Sequence, residues 1–170
     1  MSTKVAVAED VSWLLDEDLI TADIMDPRWE TSPFFKLKCM KAKQAGSRYE
    51  KIVENIFYNA DIDVDAPDST EYDRIIDGKR TEIKGSMITK GTDDKFSFLQ
   101  IRPKQSYDQV LFMAIGFDRI ELYTMTKAEV LEAIEAGIFK PQHGGKKGNS
   151  GTYCFNGTME KLGATPVEIK

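Results

Sequence analysis

Between Gly46 and Ala136 the apolar positions change period several times, and each change marks an element. Tyr49, Ile52, Val53, Ile56, Phe57 and Ala60 recur at the helical period and define one buried face. Ser47 in front of them, with Glu50 three residues on, has the form of a capping box, which predicts a helix opening near Gly46. The period then falls to two over residues 72–84, where two short runs flank Asp77-Gly78. An Asp-Gly pair in that position predicts a tight β-hairpin, because both central residues of a type I′ turn need positive φ. Phe96 to Pro103 alternates like a strand and ends at the proline. Tyr107 to Ile115 is a continuous apolar run, Gly116-Phe117-Asp118 is a turn, and Arg119 to Met125 alternates again, predicting a second hairpin. Thr126-Lys127-Ala128-Glu129 is a capping box for a helix from Lys127 to Ala136, stopped by Gly137.

The flanks are less regular. In the preface, residues 1–45, Val11 to Ile20 carries an apolar cluster, Asp26-Pro27 breaks the chain, and Ser32-Pro33 precedes Phe34 to Met40. Trp13, Trp29 and Phe34 are expected to pack onto the core. After the last helix, Pro141 to Gly151 is a loop with four glycines, read either as a surface connection or as a contact loop that orders on binding.

The hairpin carries the candidate chemistry. Its two-residue turn sets the register: Ile76 pairs with Lys79, Ile75 with Arg80, Arg74 with Thr81, and Asp73 falls opposite Glu82. Residues opposite one another share a sheet face with Cβ atoms about 5 Å apart, and Lys84, two residues on, joins that face. The plain reading is a solvated cross-strand charge cluster. The chemical reading starts from repulsion, since two carboxylates this close disfavour each other's ionised form unless a cation intervenes. Mg²⁺, with Mn²⁺ able to substitute, accepts two carboxylates, a backbone carbonyl and several waters; Ile83 would offer the carbonyl. Lys84 would then stand beside the attacking water and a scissile phosphate.

An aspartate followed nine residues later by Glu-x-Lys, with a Gly-Ser-x-x-Glu helix in front, resembles the active-site signature of the PD-(D/E)XK nuclease superfamily, which includes type II restriction endonucleases, mismatch-nicking enzymes and junction resolvases. The resemblance covers residues 46–136. One departure is that Asp73 follows Tyr72 rather than the proline of the nominal motif. The resemblance implies an α/β (α+β) fold with a restriction-endonuclease-like central mixed β-sheet flanked by helices, which the order of one helix, five strands and one helix matches. It implies Asp73, Glu82 and Ile83 as metal ligands and Lys84 as the catalytic lysine. Glu50 is either a helix cap or a third acidic group, with Glu54 one turn along in reserve.

The rest of the composition bounds this reading. At 170 residues the chain is long enough for one domain with a full core. Cys39 and Cys154 have no metal-ligand spacing and are expected to be free, partly buried thiols in a reducing compartment. There is no secretory or membrane-length apolar run, so a cytoplasmic protein without membrane contact is expected. A net charge of −5 disfavours a protein that coats nucleic acid, but local patches, not net charge, neutralise phosphates. Three such patches flank the hairpin: Lys36, Lys38, Lys41, Lys43 and Arg48; Lys90, Lys95, Arg102 and Lys104; and Lys140, His143, Lys146 and Lys147. Gln100, Arg102 and Lys104 are the candidates for phosphate contacts near the hairpin. In the glycine-rich loop, Gln142, His143 and Asn149 are candidates for base readout, and Lys146 and Lys147 for phosphates. The preface would add core packing, dimer contacts or a DNA-facing arm.

The expectation is thus a Mg²⁺-dependent, type II restriction-like endonuclease acting as a homodimer on double-stranded DNA, leaving 5′-phosphate and 3′-hydroxyl ends. The alternatives are a structure-selective nuclease, either a Holliday-junction resolvase or a repair nickase, and a non-catalytic nucleic-acid-binding protein with the same fold.

Overall fold

The computed structural model describes residues 4–6, 26–142 and 151–169. The Val11 to Ile20 cluster with Trp13, and the loop residues His143, Lys146, Lys147 and Asn149, lie outside them. In chain order the elements are β1 (Lys4–Ala6), a 3₁₀ turn (Pro27–Trp29), α1 (Phe35–Cys39), α2 (Ala42–Asn59), β2 (Val64–Asp65), β3 (Arg74–Ile76), β4 (Lys79–Met87), β5 (Lys95–Ile101), β6 (Gln109–Ile115), β7 (Ile120–Thr126), α3 (Lys127–Glu135), β8 (Lys140–Pro141), β9 (Tyr153–Thr158), α4 (Met159–Leu162) and β10 (Thr165–Pro166).

The fold is mixed α/β. Its main sheet runs β1-β7-β6-β4-β3-β2, with β10 also on β7, and a second sheet runs β5-β9-β8. Within the main sheet β4 and β6 are parallel and their other neighbours antiparallel, which makes the sheet mixed. Among the described residues no helix is long and apolar enough to cross a membrane.

Asp77 and Gly78 take φ of 49° and 74°, and the β3–β4 pairs are Arg74 with Thr81, Ile75 with Arg80 and Ile76 with Lys79, the register the turn dictates. The β6–β7 hairpin forms as expected, and Thr126 and Glu129 close the capping box of α3.

Two expectations are corrected. Helix α2 begins at Ala42 instead of near Gly46, and its N-cap position is Lys41, whose side chain makes no capping bond. Ala42, Lys43, Gln44 and Ala45 are strong helix formers, so the helix extends backwards through Gly46 and Ser47 to the extended backbone of Met40 and Lys41. Ser47 and Glu50 therefore form no capping box. The second correction is that β5, expected beside the Asp77-Gly78 hairpin in one sheet, belongs to the second sheet. Strand β4 has two edges, one taken by β3 and the other by β6, so the β4-to-β6 crossover carries β5 over the sheet face.

That placement makes the core. Lys84 and Phe112 are register partners, so Phe112 stands on the Lys84 face, where it meets Phe98 of β5 with ring centroids 5.0 Å apart. Phe139 and Phe155 complete the cluster between the sheets. On the opposite face the Tyr49 ring of α2 lies against Gly85, so closely that a Cβ there would come within 2.3 Å of it. Ile52, Val53, Ile56 and Phe57 of α2, with Trp29 and Phe34, are buried in the same continuous core. Cys39 is buried, Cys154 partly so, and both are free.

Candidate active site

Strand β3 is only three residues long, so past Thr81 the β4 edge runs on without it. Asp73 sits at this break. Its N–H donates to the Thr81 carbonyl at 3.0 Å, and its Oδ2 accepts the Ile83 N–H at 2.7 Å, taking the place a ladder carbonyl would hold. A strand residue sends its N–H and C=O to the same side. The Ile83 carbonyl therefore faces the Asp73 side of β4, as a shared oxygen site there requires.

Glu82 and Lys84 follow on the face that β5 covers. Lys84 Nζ donates to Glu82 Oε1 at 2.7 Å, and the two side chains are only 17% and 11% exposed, respectively. Burial raises the Glu82 carboxyl above the usual glutamate range; Lys84 opposes the shift, Asp73 adds to it, and Arg102 lowers it. Glu82 and Lys84 are thus paired in a largely buried setting, not on an open sheet face; Asp73 lies just before β3, outside its strand pairs, and acts on the Glu82 carboxyl through its charge.

Glu50 reaches the same place from α2. With no cap to make, its carboxylate accepts from Arg74 Nη1 at 3.1 Å. Burial raises its carboxyl first, then the charge of Asp73, with Arg74 opposing and Glu82 adding. Glu54 accepts from Arg74 Nε at 3.3 Å and stays half exposed, which makes it a support for Arg74. Arg74 was not singled out in the sequence. The signal was present: it faces away from Asp73, opposite Thr81, while two acids one turn apart on α2 can share one guanidinium.

A cleft of about 360 Å³ opens along this edge, lined by Ala42, Gly46, Tyr49 and Glu50 of α2, by Asp73, Ile83 and Lys84, and by Ser97, Leu99 and Gln100 of β5. Ser86 Oγ accepts the Ser97 N–H at 2.8 Å and ties β5 to β4 at its floor. Burial pushes the Tyr49 hydroxyl up to about 12, so it remains a neutral wall group.

The candidate phosphate contacts divide. Gln100 lines the cleft, and Arg102, exposed just after β5, donates to Gln100 Oε1 at 3.4 Å and acts electrostatically on Glu82. Lys104 is exposed in the following turn, and nothing connects it to the cleft. Gln142 uses its amide oxygen to accept the Gln100 N–H at 2.8 Å, a support for β5.

Tyr107 was read only as part of an apolar run. Its side chain is buried, its hydroxyl has no hydrogen-bond partner among the described residues, and the Lys127 ammonium lies 3.9 Å from its ring centroid. Burial, and then the charge of Glu82, keep the hydroxyl protonated.

Chemically the site offers two carboxylates on one strand edge, a backbone carbonyl facing the same way, an ammonium, and a third carboxylate held by an arginine. Among the described residues no three His, Cys, Asp or Glu side chains close on a point as a ready cation cage. A site of two carboxylates and one backbone oxygen, with the remaining positions left to water, is a different donor set, and these residues fit it. No family model matches the chain, and no curated protein is significantly similar to it.

Proposed function

We propose that this protein is a Mg²⁺-dependent DNA endonuclease of the PD-(D/E)XK type, cutting double-stranded DNA in the manner of a small type II restriction enzyme. The observation that carries the reading is the junction at the end of β3, where Asp73, the Ile83 backbone and Lys84 line a cleft, Lys84 is paired with the largely buried Glu82, and α2 brings in Glu50. Repulsion among buried carboxylates is the condition that a hard cation relieves. Asp73, Glu82 and the Ile83 carbonyl would hold Mg²⁺, which when bound supplies Lewis-acid polarisation of the phosphate and a more acidic water.

The chain's own residues supply the rest. Lys84 Nζ has three protons and spends one on Glu82, leaving two to orient an attacking water and to offset charge on a non-bridging phosphate oxygen. Arg74 holds Glu50 at the rim, and Arg102 adds positive charge where a phosphate backbone would enter. In-line attack on the phosphodiester leaves a 5′-phosphate and a 3′-hydroxyl. With one centre per chain, cutting both strands calls for a homodimer whose two-fold axis matches that of the DNA.

The test is Mg²⁺-dependent cleavage of plasmid and of four-way-junction DNA by the wild type and Lys84→Ala. Removing the ammonium should slow cleavage by about 10²- to 10³-fold with DNA binding retained. Discrete plasmid fragments support restriction-like action, and selective junction cutting would transfer the site to a resolvase. Absence of Lys84-dependent cleavage on either substrate would overturn the enzyme reading.

A further inference from the structure

Strand β5 does not keep a regular alternation. Phe96 and Phe98 point into the core, and a regular strand would next bury Gln100 and expose Ile101. Instead Ile101 is buried, while Leu99 and Gln100 both face outward. The pairing shows how: Phe98 stands opposite Phe155 and Ile101 opposite Tyr153, so β5 spends one residue more than β9 over the same span. This is a β-bulge, with Gln100 in the left-handed region at φ 56°. A non-glycine residue is held there only when its surroundings fix it. Here Gln142 Oε1 takes the Gln100 N–H that the bulge removes from the ladder, Gln142's own N–H donates to the Thr152 carbonyl at 2.9 Å, and Arg102 donates to the Gln100 side chain.

The bulge explains why Ile101 is buried. It does not explain a leucine at position 99, which is 50% exposed and lines the cleft together with Glu50, Asp73 and Lys84. A polar residue there would serve the fold as well. A lone exposed leucine is ordinary on a surface. One fixed on a braced, strained bulge at the mouth of a cleft lined by charged groups is not.

We propose that Leu99 is an apolar wedge that enters a base step of duplex DNA beside the phosphate engaged by Lys84. The proposal rests on the endonuclease reading and adds a mode of selection to it. Apolar side chains that part-unstack a step kink the duplex, and the cost of doing so depends on the step, being least at flexible pyrimidine–purine steps. Leu99 would favour deformable sequence next to the cut without reading a base edge. The brace on Gln100 is what lets a leucine act this way, because a mobile side chain would yield before the stack did.

Parting a base step unwinds DNA, so the test is topological. Closed-circular plasmid is relaxed by topoisomerase in the presence of the cleavage-deficient Lys84→Ala protein, the protein is removed, and the topoisomers are resolved. Lys84→Ala should lower the linking number with increasing dose. Because phosphate contacts carry most of the affinity, Leu99→Ser in the same background should bind plasmid within about twofold in a mobility shift. Its unwinding should fall by about half or more, and Leu99→Met should restore it. Unwinding unchanged by Leu99→Ser overturns the wedge. So does wild-type cleavage with tight Lys84→Ala binding and no unwinding, and in that case the endonuclease reading stands. If the wild type neither cuts nor binds plasmid, both readings fall together.

Discussion

Among the described residues, two acid-lined clefts can be compared, and they differ in how their acids are paired more than in charge. The second, about 310 Å³, is bordered by Asp93, Asp94, Asp118, Arg119, Glu121 and Glu160. There Arg119 bonds Glu121 at 3.0 Å and Asp118 at 3.3 Å, Arg28 bonds Asp93 and Asp26, and Asp93 and Asp118 are 84% and 76% exposed while Glu121 is 16% exposed. At the first cleft Lys84, on the lining, pairs with Glu82 behind it, both side chains are largely buried, and the carboxyls of Glu50 and Glu82 are raised by burial and by their neighbours. Acids that each face an arginine are in electrostatic balance. Acids raised by burial and by one another's charge hold free energy that a cation can release.

On that contrast, perturbing the first site should be costly and perturbing the second cheap. Gly85→Ala places a methyl group against the Tyr49 ring, and pushing α2 away should cost about 1–3 kcal/mol in chemical denaturation while displacing Glu50. A variant as stable as the wild type would mean that α2 is not held by that contact.

Glu82→Gln should show the electrostatics. Burial, with Asp73 adding and Lys84 opposing, raises the folded-state pKa of Glu82, so the folded chain binds this proton more tightly than the unfolded chain does. Its contribution to stability is full below the unfolded glutamate value near about 4.3 and falls as pH rises through the folded pKa. Urea melts from pH 4 to 8 should therefore find the glutamine variant gaining on the wild type as pH rises. Mg²⁺ at about ten times its Kd should stabilise the wild type at pH 8 by about 1.4 kcal/mol and the variant by much less. The same pH profile in both proteins would put Glu82 in the class of the exposed acids.

The smallest effect belongs to the second cleft. Arg119→Ala removes one exposed ion pair and one to a largely buried Glu121, and should change stability by about 1 kcal/mol or less, with cleavage unaltered. A large loss of cleavage would show that the second cleft takes part in the chemistry.

Much of the first site was legible in the sequence where local chemistry decides it. Asp77-Gly78 sets a turn, the turn sets the β3–β4 register from Arg74–Thr81 to Ile76–Lys79, and Asp73 falls just beyond it, bonded to the Ile83 N–H beside Glu82 and Lys84. What was not legible depended on competition for partners. Strand β5 reads as a strand anywhere, but its sheet is decided by β6 having taken the free edge of β4. Glu50 read equally well as a cap, because where a helix starts depends on how far Ala42 to Ala45 carry it backwards. The bulge did leave a trace, since Phe98-Leu99-Gln100-Ile101 shifts the alternation by one. Gln142, a candidate for base readout, is placed against Gln100 by a contact far apart in sequence that no local pattern reports.

The central claim is that Asp73 and the buried Glu82, with the Ile83 carbonyl, bind a divalent cation. Crystals soaked in Mn²⁺ and measured at the manganese absorption edge test it most directly. The account predicts an anomalous peak between the two carboxylates that is lost in Asp73→Asn crystals. No peak there, at a Mn²⁺ concentration that supports DNA cleavage in solution, would contradict it.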